Sequence, residues 1–502
     1  MAVSSLAQAQ NVSAPALLQW FDGSYKTMEY RMADYFMAGY GGLWTPPPGR
    51  ADSSNGSVGY DVYNRFDLGS AGNPTQYGTE TGLKKMISEI HKANGRAYLD
   101  LIWNHNGFTE WSNSDNGHPF ATDGGGYPGF YMGTGNGNWG DFHDPSASGD
   151  ENMQLSNLID INQSANNQFI RNPVNAGDSQ NLPAGTYPVY GRQANVPTSA
   201  NRRFYPDRSQ PGVTAKDPYT GDSIIYDFGP TSATNGTPVA ESSTGYLMRN
   251  ARWLIQEVGA DGFRLDATKN YPSWMLNYLD KAVYKAIKTP LLDGKTRQQV
   301  WSFGENFDSN WSNLATRVRQ DINQQPLDTV GGNRDTLDFA LFYAMQYNLS
   351  GNGLQNDWRN VKESSFDGQD GFANDGSQGV AFVQSHDSAG SPPYLSNVAH
   401  AYTLLRPGNA IVYYNGNEFG TRGDNFPQQG RGDALGGPNA NNKYITTLVD
   451  IRNRYGTGNY TPRNVTSGTT TDKEALVYER DRSVVVALSN RMDNGFDAVS
   501  VP

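Results

Sequence analysis

A rhythm constrains this chain more than any single residue does. Short apolar runs recur along it at residues 17–21, 39–44, 97–102, 262–265, 300–303, 337–341, 380–383 and 410–414, each closing on polar residues or glycine. Between several of them lie segments of helical period, among them residues 83–91, 247–258, 398–405 and 444–454. Strands that alternate with helices pair in parallel. Eight such units imply a closed (β/α)8 barrel, an α/β fold, rather than an open sheet. The open doubly wound sheet lacks its marker here, because no glycine-rich phosphate loop follows the first run.

Two stretches break the rhythm. Residues 106–245 separate the third run from the helical segment before the fourth, and they are rich in Gly, Asn, Asp and Tyr. A segment of that length is expected to fold as a domain of its own rather than hang as a loop. After Tyr455 the pattern becomes alternating, at residues 475–478 and 484–488, which reads as a small all-β module. The expected division is therefore a barrel from residues 1–105 and 246–455, an inserted domain from 106–245, and a C-terminal β-sandwich module from 456–502, expected to be incomplete.

Composition narrows the function. The chain has 502 residues, with 39 basic against 50 acidic, so its net charge of −11 repels phosphate backbones and argues against nucleic acid as a partner. It has no cysteine, which excludes a disulfide framework, a zinc–thiolate site and a cysteine nucleophile. The longest apolar runs are strand-sized, so no membrane-spanning helix is expected. The small-residue run from Ser4 to Ala9 is read as the remnant of a removed signal peptide, and an extracellular monomer is expected. The 29 Tyr and 10 Trp, in a chain only 18% charged, suit a neutral hydroxylated ring as ligand, and they suit core packing equally well.

In a barrel, reactive residues gather at the C-terminal ends of strands. Reading those ends gives Asp100 to His105 after the third run, Gly262 to Asn270 at the fourth, Phe303 to Asn306 at the fifth and Phe382 to Asp387 at the seventh. Asp266, Glu305 and Asp387 should then face one pocket. Of the six histidines, two, His105 and His386, fall at these ends. Clustered carboxyl groups cannot all ionise cheaply. One is pushed to a high pKa and can donate a proton, while another stays ionised beside a cation such as Arg264. One acid and one nucleophile are what glycoside cleavage requires.

The fragments Asp100-x-x-x-Asn104-His105, Gly262-x-Arg264-x-Asp266-x-x-Lys269, Gly304-Glu305 and His386-Asp387 occur in that order. They resemble the four signature regions of the α-amylase family of glycoside hydrolases. Leu158 to Asn162 resembles a fifth region, and Gly59 to Tyr63 resembles the loop after the second strand. The resemblance covers essentially the whole chain. It implies that Asp266 is the nucleophile, Glu305 the acid and then base, and Asp387 the transition-state stabiliser. It implies that Arg264 keeps Asp266 ionised, that His105 and His386 bond the sugar, that Tyr60 stacks on it, and that Lys269 reaches the leaving-group side. It also implies a structural calcium between barrel and insertion, with Asn104 and Asp160 as side-chain ligands, and with backbone carbonyls of Asn270 and of a residue near Glu151.

Asn270 stands where the family usually has histidine, which bears on product size. The stretch after Asp160, with Tyr187, Tyr190, Phe204, Tyr205, Tyr219 and Tyr226, is longer than in many family members. It is read either as a wall of the substrate cleft or as the insertion's own core. The implied activity is endo-acting, retaining hydrolysis of α-1,4-glucans. A 4-α-glucanotransferase or cyclodextrin-forming enzyme of the same family is the first alternative. A non-catalytic carbohydrate-binding homologue is the second, although such proteins typically lose a member of the carboxylate triad, which is complete here.

Overall fold

The computed structural model describes residues 15–52, 58–107, 127–133, 137–153, 155, 158–165, 167, 169–171, 214–216, 223–225, 240–279, 300–318, 333–349, 357–366, 378–388, 395–419, 434–435, 444–463, 465 and 473–491. Its centre is a closed barrel of eight parallel strands. These are β1 (Leu17–Phe21), β2 (Gly42–Thr45), β3 (Arg96–Leu101), β4 (Gly262–Leu265), β5 (Trp301–Gly304), β6 (Asn333–Leu337), β7 (Gly379–Phe382) and β8 (Ala410–Asn415). Each pairs with its successor, and β8 closes on β1 with Leu17 opposite Ile411 and Trp20 opposite Tyr414. The strands β1, β2, β4, β5, β7 and β8 are buried along their whole length, as expected where side chains fill the barrel on one face and helices cover the other. Gly262 opens β4 at φ 156°, where an added Cβ would run into the carbonyl of Trp301 on β5. Only glycine lets these two strands begin so close together.

The helices follow from local chemistry. The Thr79 hydroxyl accepts from the amide of Gly82 and starts the helix Glu80–Lys92. Leu83, Met86, Ile87 and Ile90 form its buried face, each contributing roughly 1.5–3 kcal/mol on burial. Asn94, at φ 60°, ends it. The helix Ser243–Trp253 is capped by Ser242 and widens into a π turn over Leu254–Val258 before Gly259 stops it at φ 98°.

One strand lies elsewhere than its apolar run. The run 337–341 reads as the sixth strand, but β6 is Asn333–Leu337 and the helix Phe339–Asn348 begins directly after it. Asp338 is the reason. It is buried, and its carboxylate accepts from the amides of Leu341 and Phe366 and from the hydroxyl of Ser365. It therefore caps a helix inside what reads as one apolar segment.

Between β3 and the helix Ser243–Trp253, the described residues form short antiparallel pairs. His105–Asn106 pairs with Ile159–Asp160, Phe169–Ile170 with Ala240–Glu241, and Thr214–Lys216 with Ser223–Ile225. A buried ion pair, Arg171 to Asp141 at 2.6 Å, sits within this region. Tyr187, Tyr190, Phe204, Tyr205, Tyr219 and Tyr226 lie outside the described residues. Three antiparallel strands follow the barrel: β9 (Tyr460–Arg463), β10 (Ala475–Arg480) and β11 (Val484–Ser489). Leu476, Tyr478 and Val486 join one core with Trp358, Leu395 and Tyr402 of the barrel's outer helices. Among the described residues, no helix is long and apolar enough to cross a membrane.

Candidate active site

The site is built around one charge. Arg264 lies on β4 with its side chain fully buried, opposite Asp100 of β3 and Phe303 of β5. A buried guanidinium needs partners, because no water solvates it. Its Nη1 reaches Asp100 at 2.9 Å and Asp266 at 2.6 Å, and its Nη2 reaches Glu305 at 2.7 Å and Asp387 at 4.0 Å. Carboxylates from four strand ends thus share one cation. The faces of Trp44 and Tyr60 lie 5.1 and 5.7 Å from the same guanidinium carbon.

The backbone aims the carboxylates. The amide of Asp266 donates to Leu101 on one side, and the amide of Glu305 donates to Leu265 on the other. Ala267 then adopts φ 47°, ψ 40°, a left-handed conformation uncommon for alanine. The turn points its amide at Glu305 Oε2, 3.2 Å away. Strain next to Asp266 therefore supplies a donor to Glu305.

Electrostatics separate the three acids. Burial raises Glu305, with Arg264 opposing and Asp387 adding to the rise. Burial also raises Asp266 well above the carboxylate range, against the pull of Arg264. The two are coupled and behave as a pair. For Asp387 burial works upward, but His386 and Arg264 outweigh it and hold the group at about 2. Of the two carboxyl groups beside Nη2 of Arg264, Glu305 therefore keeps a proton to higher pH than Asp387 does.

Both histidines expected to bond the sugar are buried. The Nε2 of His386 reaches Asp387 at 2.9 Å, and its Nδ1 accepts from the side-chain amide of Gln19 at 2.7 Å. Its ring is sandwiched between Phe21 (centroids 4.9 Å) and Tyr60 (5.0 Å). His105 is also buried, with Nε2 on the carbonyl of Tyr60 at 3.0 Å and Nδ1 near the amide nitrogen of Asn104 at 3.3 Å. Burial and Arg65 lower its pKa to about 3, so it is neutral. Both rings thus hold neighbouring groups of the site in place. Tyr60 is half-buried, stacks one face on His386 and donates its hydroxyl to Asp100 at 2.6 Å.

Gln19, Phe21, Trp44 and Asp100 are working parts that motif reading did not assign. Gln19 had a usable signal, being the polar residue inside an otherwise apolar strand. Trp44 gave none: its indole bonds Asp100 at 3.0 Å, which only the fold reveals.

Beyond the acids, Lys269 meets Asp150 at 3.4 Å, Asn270 donates its side-chain amide to the Asp150 carbonyl at 2.9 Å, and Arg317 lies 3.5 Å from Glu151. These contacts tie the segment after β4 to the insertion. Asn104 and Asp160 join the same two parts through a 2.9 Å hydrogen bond. Asn104 Oδ1 and Asp160 Oδ2 are both buried and have no hydrogen-bond partner among the described residues. Burial raises Asp160 to about 8. Orphaned oxygens on two side chains that bond each other fit a hard cation.

Fold and site together define a (β/α)8-barrel protein that gathers acidic strand ends around one buried arginine. No family model matches the chain. An α-amylase of Geobacillus stearothermophilus is 36% identical over 76 residues, which is 14% of this chain and 14% of the relative. The chain thus aligns with only a small part of that relative's length. The α-amylase of Geobacillus thermoleovorans, solved with acarbose, superposes with a TM-score of 0.56 at 16% identity, covering 95% of this chain and 87% of that one. A cyclomaltodextrin glucanotransferase of three-domain organisation gives 0.57 at 14% identity, covering 95% and 87%. The chain is thus similar to α-amylases over short stretches of sequence, and to solved α-amylases in its fold.

Proposed function

We propose that the protein hydrolyses internal α-1,4-glucosidic bonds of starch-like glucans, retaining the anomeric configuration. The observation that carries this reading is the geometry of the acids: Asp266 and Glu305 bind one buried guanidinium at 2.6 and 2.7 Å, and Asp387 lies 4.0 Å from it. Glu305 protonates the leaving glycosidic oxygen while the Asp266 carboxylate attacks the anomeric carbon. One C–O bond forms as the other breaks. Glu305, now a base, takes a proton from water, and the hydroxide displaces Asp266. Asp387, ionised and half-exposed, faces the charge that develops on the ring. Retaining pairs stand roughly 5–5.5 Å apart, and a single guanidinium that holds both carboxyl groups supports that class.

A sugar hydroxyl in place of water would make the protein a glucanotransferase, and the likeness to a cyclomaltodextrin glucanotransferase keeps that reading open. A non-catalytic binding role fits poorly, since all three acids are in place. Calcium is part of the proposal. Asn104 Oδ1 and Asp160 Oδ2 would hold it, with backbone carbonyls such as that of Asn270, and it would lock the insertion to the barrel beside His105. It takes no part in the bond exchange. We place the protein outside the cell, as a monomer.

The test is incubation with amylose, with products separated by size over time and the first product followed by NMR. Short linear oligosaccharides that appear first as the α-anomer are expected. An initial β-anomer overturns double displacement. Cyclic products, or chain lengths that disproportionate without new reducing ends, select the transferase.

A further inference from the structure

Large apolar side chains exposed at the surface are not evenly spread. Among the described residues ten are exposed, and four of these, Phe307, Trp311, Tyr343 and Tyr347, lie on one ridge beside the catalytic pocket. The ridge begins two residues after Glu305. The Phe307 ring meets Phe339 at 4.9 Å and Tyr343 at 6.1 Å. A hollow of about 290 Å³ there is lined by Phe307, Phe339, Tyr343, Gln346, Ser385 and Asp387, so one of its walls is catalytic.

Tyr343 is also a wall of a second hollow, of about 390 Å³, with Trp311, Tyr347, Asn348, Asn360 and Ser364. Phe339, Tyr343 and Tyr347 follow each other at intervals of four on the helix Phe339–Asn348. They therefore share one helical face, with successive rings about 6 Å apart along the axis. The Trp311 indole is held by the carbonyl of Ser364 at 3.0 Å, so its ring is fixed rather than free to collapse.

Patches of this kind mark binding surfaces, and rings rimmed by amides and hydroxyls suit a ligand with apolar faces and polar edges. We propose that this ridge is a second glucan-binding site, where the part of a long substrate chain that extends past the catalytic pocket lies across Tyr343, Tyr347 and Trp311. The occupant is identified by continuity, since both hollows share Tyr343 and the first opens onto Asp387. The proposal rests on the α-glucan reading above. It adds that chain length is sensed outside the catalytic pocket.

The experiment is native electrophoresis in gels cast with amylose. It uses the inactive Glu305→Gln chain with and without the added pair Trp311→Ala and Tyr347→Ala, and thermal unfolding confirms that each is folded. Tyr347→Ser alone is the second variant, because that ring is 75% exposed and its loss cannot empty the core. The pair should weaken the apparent affinity for amylose about fivefold and Tyr347→Ser about twofold. In otherwise active chains, the ratio of KM for amylose to KM for maltotriose should rise by similar factors. Equal retardation with and without the ridge rings, or an unchanged KM ratio, overturns the ridge site and leaves the catalytic reading intact. If amylose retards no chain and the wild-type protein releases no reducing sugar from it, the glucan reading itself fails and the ridge proposal with it.

Discussion

Arg264 has no solvent to balance its charge, so the acids around it are its solvation, and removing any one of them alters the others. Asp266→Asn keeps the shape and one acceptor oxygen while abolishing the nucleophile. Turnover of amylose should fall by roughly 10⁴-fold with little change in unfolding temperature. Activity within tenfold of wild type would take Asp266 out of the mechanism. The raised pKa of Glu305 has a measurable sign. Catalysis needs the protonated form, so activity is lost as pH rises through that raised value. The alkaline limb of kcat/KM should therefore lie above the ordinary glutamate value of about 4.3. An alkaline limb at or below that value would place the acid elsewhere. At this scale the acids and Arg264 were legible in the sequence, because each follows an apolar run and a barrel presents its strand ends to one pocket. The protein partners of His105 and His386 were not legible in the sequence. Nothing in it shows that Tyr60, Gln19 and Asn104 engage the ring nitrogens first.

Elements are legible where one pattern has one meaning, and β6 shows where it has two. An apolar run records burial but not backbone geometry, so 337–341 reads as strand. Asp338 divides it, since a capping carboxylate starts a helix wherever its neighbours' amides can reach it. The same residue binds the Phe366 amide and the Ser365 hydroxyl, and so fixes the helix Phe339–Asn348 against the next connection. Asp338→Ala removes the cap and leaves those buried donors unpaired. It should cost roughly 3 kcal/mol and lower the unfolding temperature by several degrees. An unchanged melting curve would mean that packing alone sets this boundary. By contrast the helical period read over 83–91 falls inside the helix Glu80–Lys92, because its apolar spacing has one meaning; the Thr79 cap and the Asn94 stop set the ends beyond it.

For the whole molecule, the open question is how a barrel stays joined to an insertion that leaves it at β3 and returns before β4. Acid provides one probe of global stability. His400 is buried and neutral in the folded state, with a pKa lowered to about 4 by burial, against about 6.5 unfolded. The unfolded chain therefore takes up the proton first. Stability is full above about 6.5 and falls as pH drops towards 4, by about 3 kcal/mol at most from this residue. In His400→Gln, the drop in unfolding temperature over that window should shrink. The join itself depends on few contacts: the Asn104–Asp160 hydrogen bond, and the grip of Lys269, Asn270 and Arg317 on residues 150–151. Two buried oxygens without partners, one on a carboxyl group that burial raises to about 8, would be costly if nothing bound them. A cation that binds only the folded chain adds stability with its concentration, about 2.7 kcal/mol at a hundred times its dissociation constant. Chelation should then lower the unfolding temperature by several degrees, and added calcium should restore it. Asp160→Asn, which keeps the hydrogen bond to Asn104 but removes the charge, should melt lower than wild type and respond to neither treatment. A wild-type curve indifferent to verified removal of metal, or an Asp160→Asn chain as sensitive as wild type, would show that the two parts are held by the protein's own contacts alone.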